Sequence, residues 1–245
     1  MKTLVTNKEI EMVGESLIAD YIKGNESEGR CVDIEGFIED YLHLPIVYVN
    51  IAEKDMDKIG FVSDGIYPLK IRENGTVMER TFPKGTVAID KFLLNEKRSG
   101  QRRFTLAHEC AHVIYERMCP TLPGLCFNRH FDNERAYDLK EFRERFNLCE
   151  TQVDRLAAVL LMPGFLIKRV LREFGMGDAL PIYANSVVRR QDKLAIQNMA
   201  DSMGVSYSAF LNRLRELNML EHRSMEEYLA LEMRFGGNSV SAGAD

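Results

Sequence analysis

A chain of 245 residues with 45% hydrophobic residues, 28% charged residues and only seven prolines has the composition of a globular protein with enough apolar side chains for a stable core, which excludes disordered and fibrous classes. Its net charge of -5 argues against whole-protein attraction to nucleic acid and leaves room only for a local basic patch. Five scattered cysteines, never spaced as C-x2-C, suggest neither a disulfide framework nor a four-thiolate metal site, and with no signal-peptide core and no run near ~18 apolar residues they fit a cytoplasmic location without membrane insertion.

In chain order, Ile10, Val13, Leu17, Ile18 and Tyr21 fall at helical spacing within residues 8 to 23, ahead of Gly24 where a helix would stop. Ile34, Phe37, Ile38, Tyr41 and Leu42 repeat the pattern over 33 to 43, before Pro45 and the strand-like run IVYVNI at 46 to 51. Between about 58 and 94 four strand-like runs are punctuated by Asp64-Gly65, Asn74-Gly75 and Lys84-Gly85, so a small antiparallel sheet is expected. Helices are expected at 101 to 118 and about 140 to 162, the second closed by Pro163, with the Pro- and Gly-containing connection CPTLPGLCFNRHF between them. Residues 187 to 233 return to helical periodicity, and GGNSVSAGAD reads as a disordered tail. The two glycines and proline of GMGDALP, within 175 to 186, suggest a division into a domain at 1-180, a C-terminal helical segment at 181-235 and a tail at 236-245.

The chemistry is concentrated in His108-Glu109-Cys110-Ala111-His112, an H-E-x-x-H motif on a helix whose core-facing stripe is Phe104, Ala107, Ala111, Ile114 and Met118. Histidines four residues apart share a helix face, so both imidazoles reach one zinc ion at about 2.0–2.1 Å. Glu109 then stands beside the ion as a general base for zinc-bound water. The next helix, with apolar stripe Phe142, Phe146, Cys149, Val153, Leu156 and Leu160, carries Glu150 and Asp154 together on a neighbouring face. Glu150 completes a His2Glu site whose fourth position is open, and Asp154 is placed to accept an N–H bond from a ligand histidine. H-E-x-x-H alone also fits a helix with plain surface polar groups; the E-x-x-x-D on a second amphipathic helix decides for a metal site.

Through RFTLAHECAHVIY at 103 to 115 and ETQVDRLAAVLLMP at 150 to 163 the sequence resembles the ImmA/IrrE family of metallopeptidases. Members typically show E-x-x-A-N/D-x-F-A-x-x-L-L-M-P at the second stretch. Val153 and Leu156 depart from it and stay apolar, and Ala111 stands where the family usually has glycine. The resemblance spans about 30 to 220 and is strong from 101 to 163. It implies an α+β, zincin-like fold with two zinc-bearing helices, and a regulatory endopeptidase whose protein substrate is often a helix-turn-helix repressor.

Residues 197 to 220 resemble a helix-turn-helix, with Ala200 as the small residue, Gly204 as the turn glycine, Phe210 as the core group and Ser206 as a cap for the second helix. From 187 to 223, six basic residues (189, 190, 193, 213, 215, 223) face four acidic ones (192, 201, 216, 221), a thin excess for phosphate contact, so packing on the catalytic core is favoured over DNA binding. His130, Arg129, Arg135 and Tyr137 occupy the connection between the zinc-bearing helices, where a plain surface loop outweighs an oxyanion-stabilising donor; Cys119 and Cys126 read as free thiols. The function expected is a zinc endopeptidase. The rivals are a DNA-binding regulator with a structural or vestigial zinc site and a non-catalytic sensor, and the carboxylate of Glu109, for which a pure binder has no physical need, favours the enzyme.

Overall fold

Thr6 and Glu9 start the first helix reciprocally: the Thr6 N–H donates to Glu9 Oε2 at 2.9 Å and the Glu9 N–H donates to Thr6 Oγ1 at 3.3 Å, a capping box that satisfies amides the helix leaves unpaired. This helix, α1 (Asn7–Asn25), is the spine of the computed structural model, which describes residues 5–25, 29–53, 58–119, 139–184 and 188–236, apart from the side chains of 139–147, 191 and 231–236. The remaining helices are α2 (Ile34–Gly36), α3 (Ser99–Met118), α4 (Leu139–Leu161), α5 (Gly164–Glu173), α6 (Arg190–Ser202), α7 (Tyr207–Glu216) and α8 (Met225–Gly236). The strands are β1 (Ile46–Val49), β2 (Gly60–Val62), β3 (Leu69–Glu73), β4 (Thr76–Arg80), β5 (Val87–Asp90), β6 (Leu180–Tyr183) and β7 (Leu220–Arg223). The class is α+β, as expected. None of the described helices is long and apolar enough to cross a membrane.

The expected helix over 33 to 43 is one α-turn followed by a π-turn at Phe37–Tyr41, in which the Leu42 N–H donates to the Phe37 carbonyl at 3.0 Å. The wider turn accompanies a stack of Phe37 on Tyr41, centroids 5.3 Å apart, with the ring of Tyr21 edge-on to both.

The single antiparallel sheet expected from 58 to 94 is corrected to two small sheets. β3 and β4 form a hairpin whose turn, Asn74-Gly75, has both φ angles positive, 49° and 82°, as a tight hairpin turn requires. β5 then returns into the centre of a separate sheet of order β1-β5-β2, parallel to β1 and antiparallel to β2. Val87, Ala88 and Ile89 are all fully buried, the pattern of a strand covered on both faces. One face meets the helical core; the other holds a small cluster of Phe61, Leu69, Ile71, Phe82 and Ala88 beneath the hairpin.

α1 holds the rest together along its length. A Cβ at Gly14 would lie 2.6 Å from Val159 Cγ1, so α1 and α4 approach more closely than a side chain permits. The Gly164 N–H donates to Glu15 Oε1 at 2.8 Å, which caps α5 from α1. Glu11 receives both terminal nitrogens of Arg213 on α7, each at 2.6 Å.

The C-terminal helices follow the expected pattern: Ala200 and Phe210 are buried, Gly204 turns the chain at φ 66°, and Ser206 Oγ accepts from the Ala209 N–H at 3.1 Å. Two features there carry no periodic signal, α5 directly after Pro163 and the parallel pairing of β6 with β7 from Leu180↔Leu220 to Tyr183↔Arg223. β6 begins where the domain division at 180/181 is expected. The tail after Gly236 lies outside the described residues.

Candidate metal centre

α3 and α4 meet over most of their described lengths, and the polar residues at their contact are functional candidates because the surrounding positions are apolar. On α3, Leu106, Ala107, Cys110, Ala111 and Tyr115 are buried; on α4, Cys149, Val153, Leu156 and Leu160 are buried, in line with the expected stripe. Phe142 and Phe146 lie outside the described side chains. Phe104 departs from expectation: placed in the core stripe by periodicity, it is 41% exposed, with its ring centroid 6.2 Å from that of His108. It lines a cavity together with Asp154 and Ala158 of α4 instead of packing between the helices.

His108, His112 and Glu150 converge. His108 Nε2 lies 3.1 Å from His112 Nε2 and 3.5 Å from Glu150 Oε2, and His112 Nε2 lies 3.9 Å from Glu150 Oε1. A tetrahedral ion with bonds of about 2.0–2.1 Å holds its donors about 3.3–3.4 Å apart, and the two imidazoles and the Glu150 carboxylate, reached through one oxygen by His108 and through the other by His112, come near that spacing. No other group of three or more such donors occurs among the described residues.

Asp154 lies one helical turn beyond Glu150, half-exposed, and accepts from His108 Nδ1–H at 2.8 Å. That bond leaves Nε2 as the nitrogen directed at the shared point. Burial disfavours charge on His108, but the hydrogen bonds it donates to Asp154 and Glu150 and the charge of Glu109 outweigh it, and the pKa is pushed up to about 10. A metal ion held by Nε2 would compete with a proton at that nitrogen.

Glu109 is buried at 9% exposure and is covered by strand β2. A Cβ on Gly60 would stand 2.6 Å from Glu109 Oε1 and 2.6 Å from Thr105 Cγ2. Glycine at this position lets the strand backbone lie directly on the carboxylate. β2 is also an edge of its sheet among the described strands. Gly60 carries no motif, and sequence reasoning missed it; a glycine opening a strand-like run was the only available signal. Behind the site, Tyr115 O–H donates to Gln152, whose amide donates to the Val5 carbonyl, a buried chain joining α3, α4 and the segment leading into α1.

The candidates His130, Arg129, Arg135, Tyr137 and Cys126 lie outside the described residues. Cys119, Cys110 and Cys149 are buried.

A comparison with curated proteins gives no match. Residues 92–215, which contain all three donors together with Glu109 and Asp154, match the peptidase M78 family, described as the IrrE N-terminal-like domain. The match takes in just over half of the chain, and the chain belongs to this metallopeptidase family.

Proposed function

We propose that the protein is a zinc-dependent endopeptidase of zincin-like architecture, with His108, His112 and Glu150 as the zinc ligands and Glu109 as the general base. The observation that carries this reading is the convergence of three donors at tetrahedral spacing beside a buried carboxylate that an edge strand covers. Bound there, zinc supplies Lewis acidity to the scissile carbonyl and makes water more acidic. Glu109 takes the proton of the attacking water and returns it to the leaving amine. Asp154 keeps the ring of His108 oriented. The outer edge of β2 aligns an extended substrate by main-chain hydrogen bonds, so an unfolded or loop segment is the natural target.

The family resemblance supports a regulatory role with a repressor-type protein as substrate, and the scattered cysteines support a cytoplasmic location. Regarding DNA, the second helix of the helix-turn-helix-like hairpin has its most strongly bonded cation, Arg213, buried at 1% exposure against Glu11 and Glu216, which removes it from phosphate contact and favours the packing role.

The test is metal analysis of the purified protein together with cleavage of candidate repressors by wild type and Glu109→Gln. Glutamine keeps the shape and accepts a hydrogen bond but takes no proton from water, so the variant should keep its zinc and lose about two to four orders of magnitude in rate. Undiminished cleavage by Glu109→Gln overturns the catalytic role, and undiminished cleavage after zinc removal overturns metal catalysis.

A further inference from the structure

Strand β7 is an open edge. Its sheet has two strands, and among the described residues Leu220–Arg223 pairs on one side only, with β6. A two-stranded sheet is marginal by itself, and an uncovered edge offers a row of N–H and C=O groups to another chain. The parallel register determines which groups these are. The Leu180 N–H donates to the Met219 carbonyl at 2.9 Å and the Ala184 N–H to the Arg223 carbonyl at 3.2 Å, so Glu221 and Arg223 turn their main-chain groups toward β6. The N–H and C=O of Leu220 and His222 therefore point to the open side.

We propose that β7 is the seam of a homodimer, pairing with β7 of a second copy, antiparallel across a two-fold axis at His222. The proposal concerns assembly and stands apart from the peptidase reading. An isologous contact sets one strand against itself, so the strand must match its own reversed sequence. An axis at Leu220 would bring in Asn218, whose φ of 54° is no strand conformation. An axis at Glu221 would set two carboxylates against each other, which repels. An axis at His222 sets Glu221 of each copy against Arg223 of the other, and Leu220 against Ser224. These charged pairs fall at the non-hydrogen-bonded positions, where facing side chains are closest. Within one chain Arg223 Nη2 holds Glu221 Oε2 at 2.8 Å, and both side chains are exposed, so pairing joins two such bridges into a four-charge network across the axis.

The helix after the strand adds apolar cover. α8 meets the sheet through Tyr228, whose ring lies edge-on to Tyr183 with centroids 5.3 Å apart, while Met225 and Leu229, one turn apart, are 43% and 48% exposed. With Ser224 opposite Leu220 of the second copy, Met225 begins its helix beside an apolar residue of that copy. An interface this small suits a Kd in the micromolar range.

Sedimentation of the full-length protein from about 1 to 100 µM tests the proposal, and wild type should pass from monomer to dimer across that range. Glu221→Arg sets like charges opposite each other twice and should weaken dimerisation about tenfold. Adding Arg223→Glu to it should restore the wild-type constant, because opposite charges then face each other in exchanged positions. His222→Pro removes the outward N–H on the axis while the β6–β7 ladder keeps its own bonds, and should also weaken the dimer about tenfold. Val77→Arg on the exposed strand β4 is the control and should change nothing. Melting temperatures identify variants that fold, and if His222→Pro does not, the charge exchange still decides. A wild type monomeric throughout the range overturns the proposal, as does Glu221→Arg dimerising like wild type. A double variant as weak as Glu221→Arg, or equal weakening by Val77→Arg, overturns it too.

Discussion

The α3–α4 pair and the α6–α7 hairpin use the same amphipathic helix pattern to opposite ends. Between α3 and α4, polar side chains from both helices converge: two imidazoles and a carboxylate lie within 4.8 Å of one another, with Asp154 bonded to one imidazole. In the hairpin the buried cation Arg213 binds a carboxylate on α1 and a backbone carbonyl at the end of α4. Buried polarity in the first pair is gathered around a point where an ion fits. In the second it is used up internally and acts as a tie. Burial of a charged side chain is thus no guide to function until its partners are known.

The sharpest way to break this contrast is to remove a donor. His112→Ala leaves two protein ligands, and zinc measured by atomic absorption should fall from one equivalent to a small fraction; retention of a full equivalent would sink the site assignment. Next in size is Gly60→Ala. Its new methyl meets Glu109 and Thr105 at 2.6 Å, so the carboxylate must move, and kcat should drop by up to ~10²-fold while zinc content stays at one equivalent. A variant with normal kcat would show that the strand yields instead of the base.

Asp154→Asn should cost about 10- to 100-fold in zinc affinity or activity, because the amide keeps a hydrogen bond to His108 without its charge. Competition with a metal chelator measures it, and wild-type affinity would remove Asp154 from the site. The tie affects stability and not the metal. Arg213→Leu leaves Glu11 partly buried without its main partner and should cost about 2–4 kcal/mol in urea unfolding, at the lower end of the range for broken buried pairs because Glu11 remains 24% exposed. Zinc affinity of the folded variant should be unchanged. A loss below ~1 kcal/mol would place Arg213 with ordinary surface ion pairs.

The two regions were legible in the sequence to different depths. H-E-x-x-H is a local spacing on one helix, so His108, Glu109 and His112 were readable without knowing the fold, and the matching face of α4 supplied Glu150 and Asp154. Gly60 was not readable, because its role is the absence of a side chain against a residue far away in the chain. The parallel pairings of β1 with β5 and of β6 with β7 were missed for a related reason: strand periodicity identifies a strand but not its partner or direction. The packing role favoured for the hairpin came from its charge balance, whereas the residue that ties it down, Arg213, looks in sequence like any surface arginine.

The pairing of β6 with β7 bears on modularity. Parallel neighbours cannot be joined by a tight turn, so the chain from Tyr183 to Leu220 is a crossover connection and the helix pair α6–α7 is its content. A chain cut at 180 would lose more than a terminal appendage. It would strip β7 from β6 and the second helix from Glu11. Exchanging this segment whole therefore requires cuts outside both strands, before Leu180 and after Arg223.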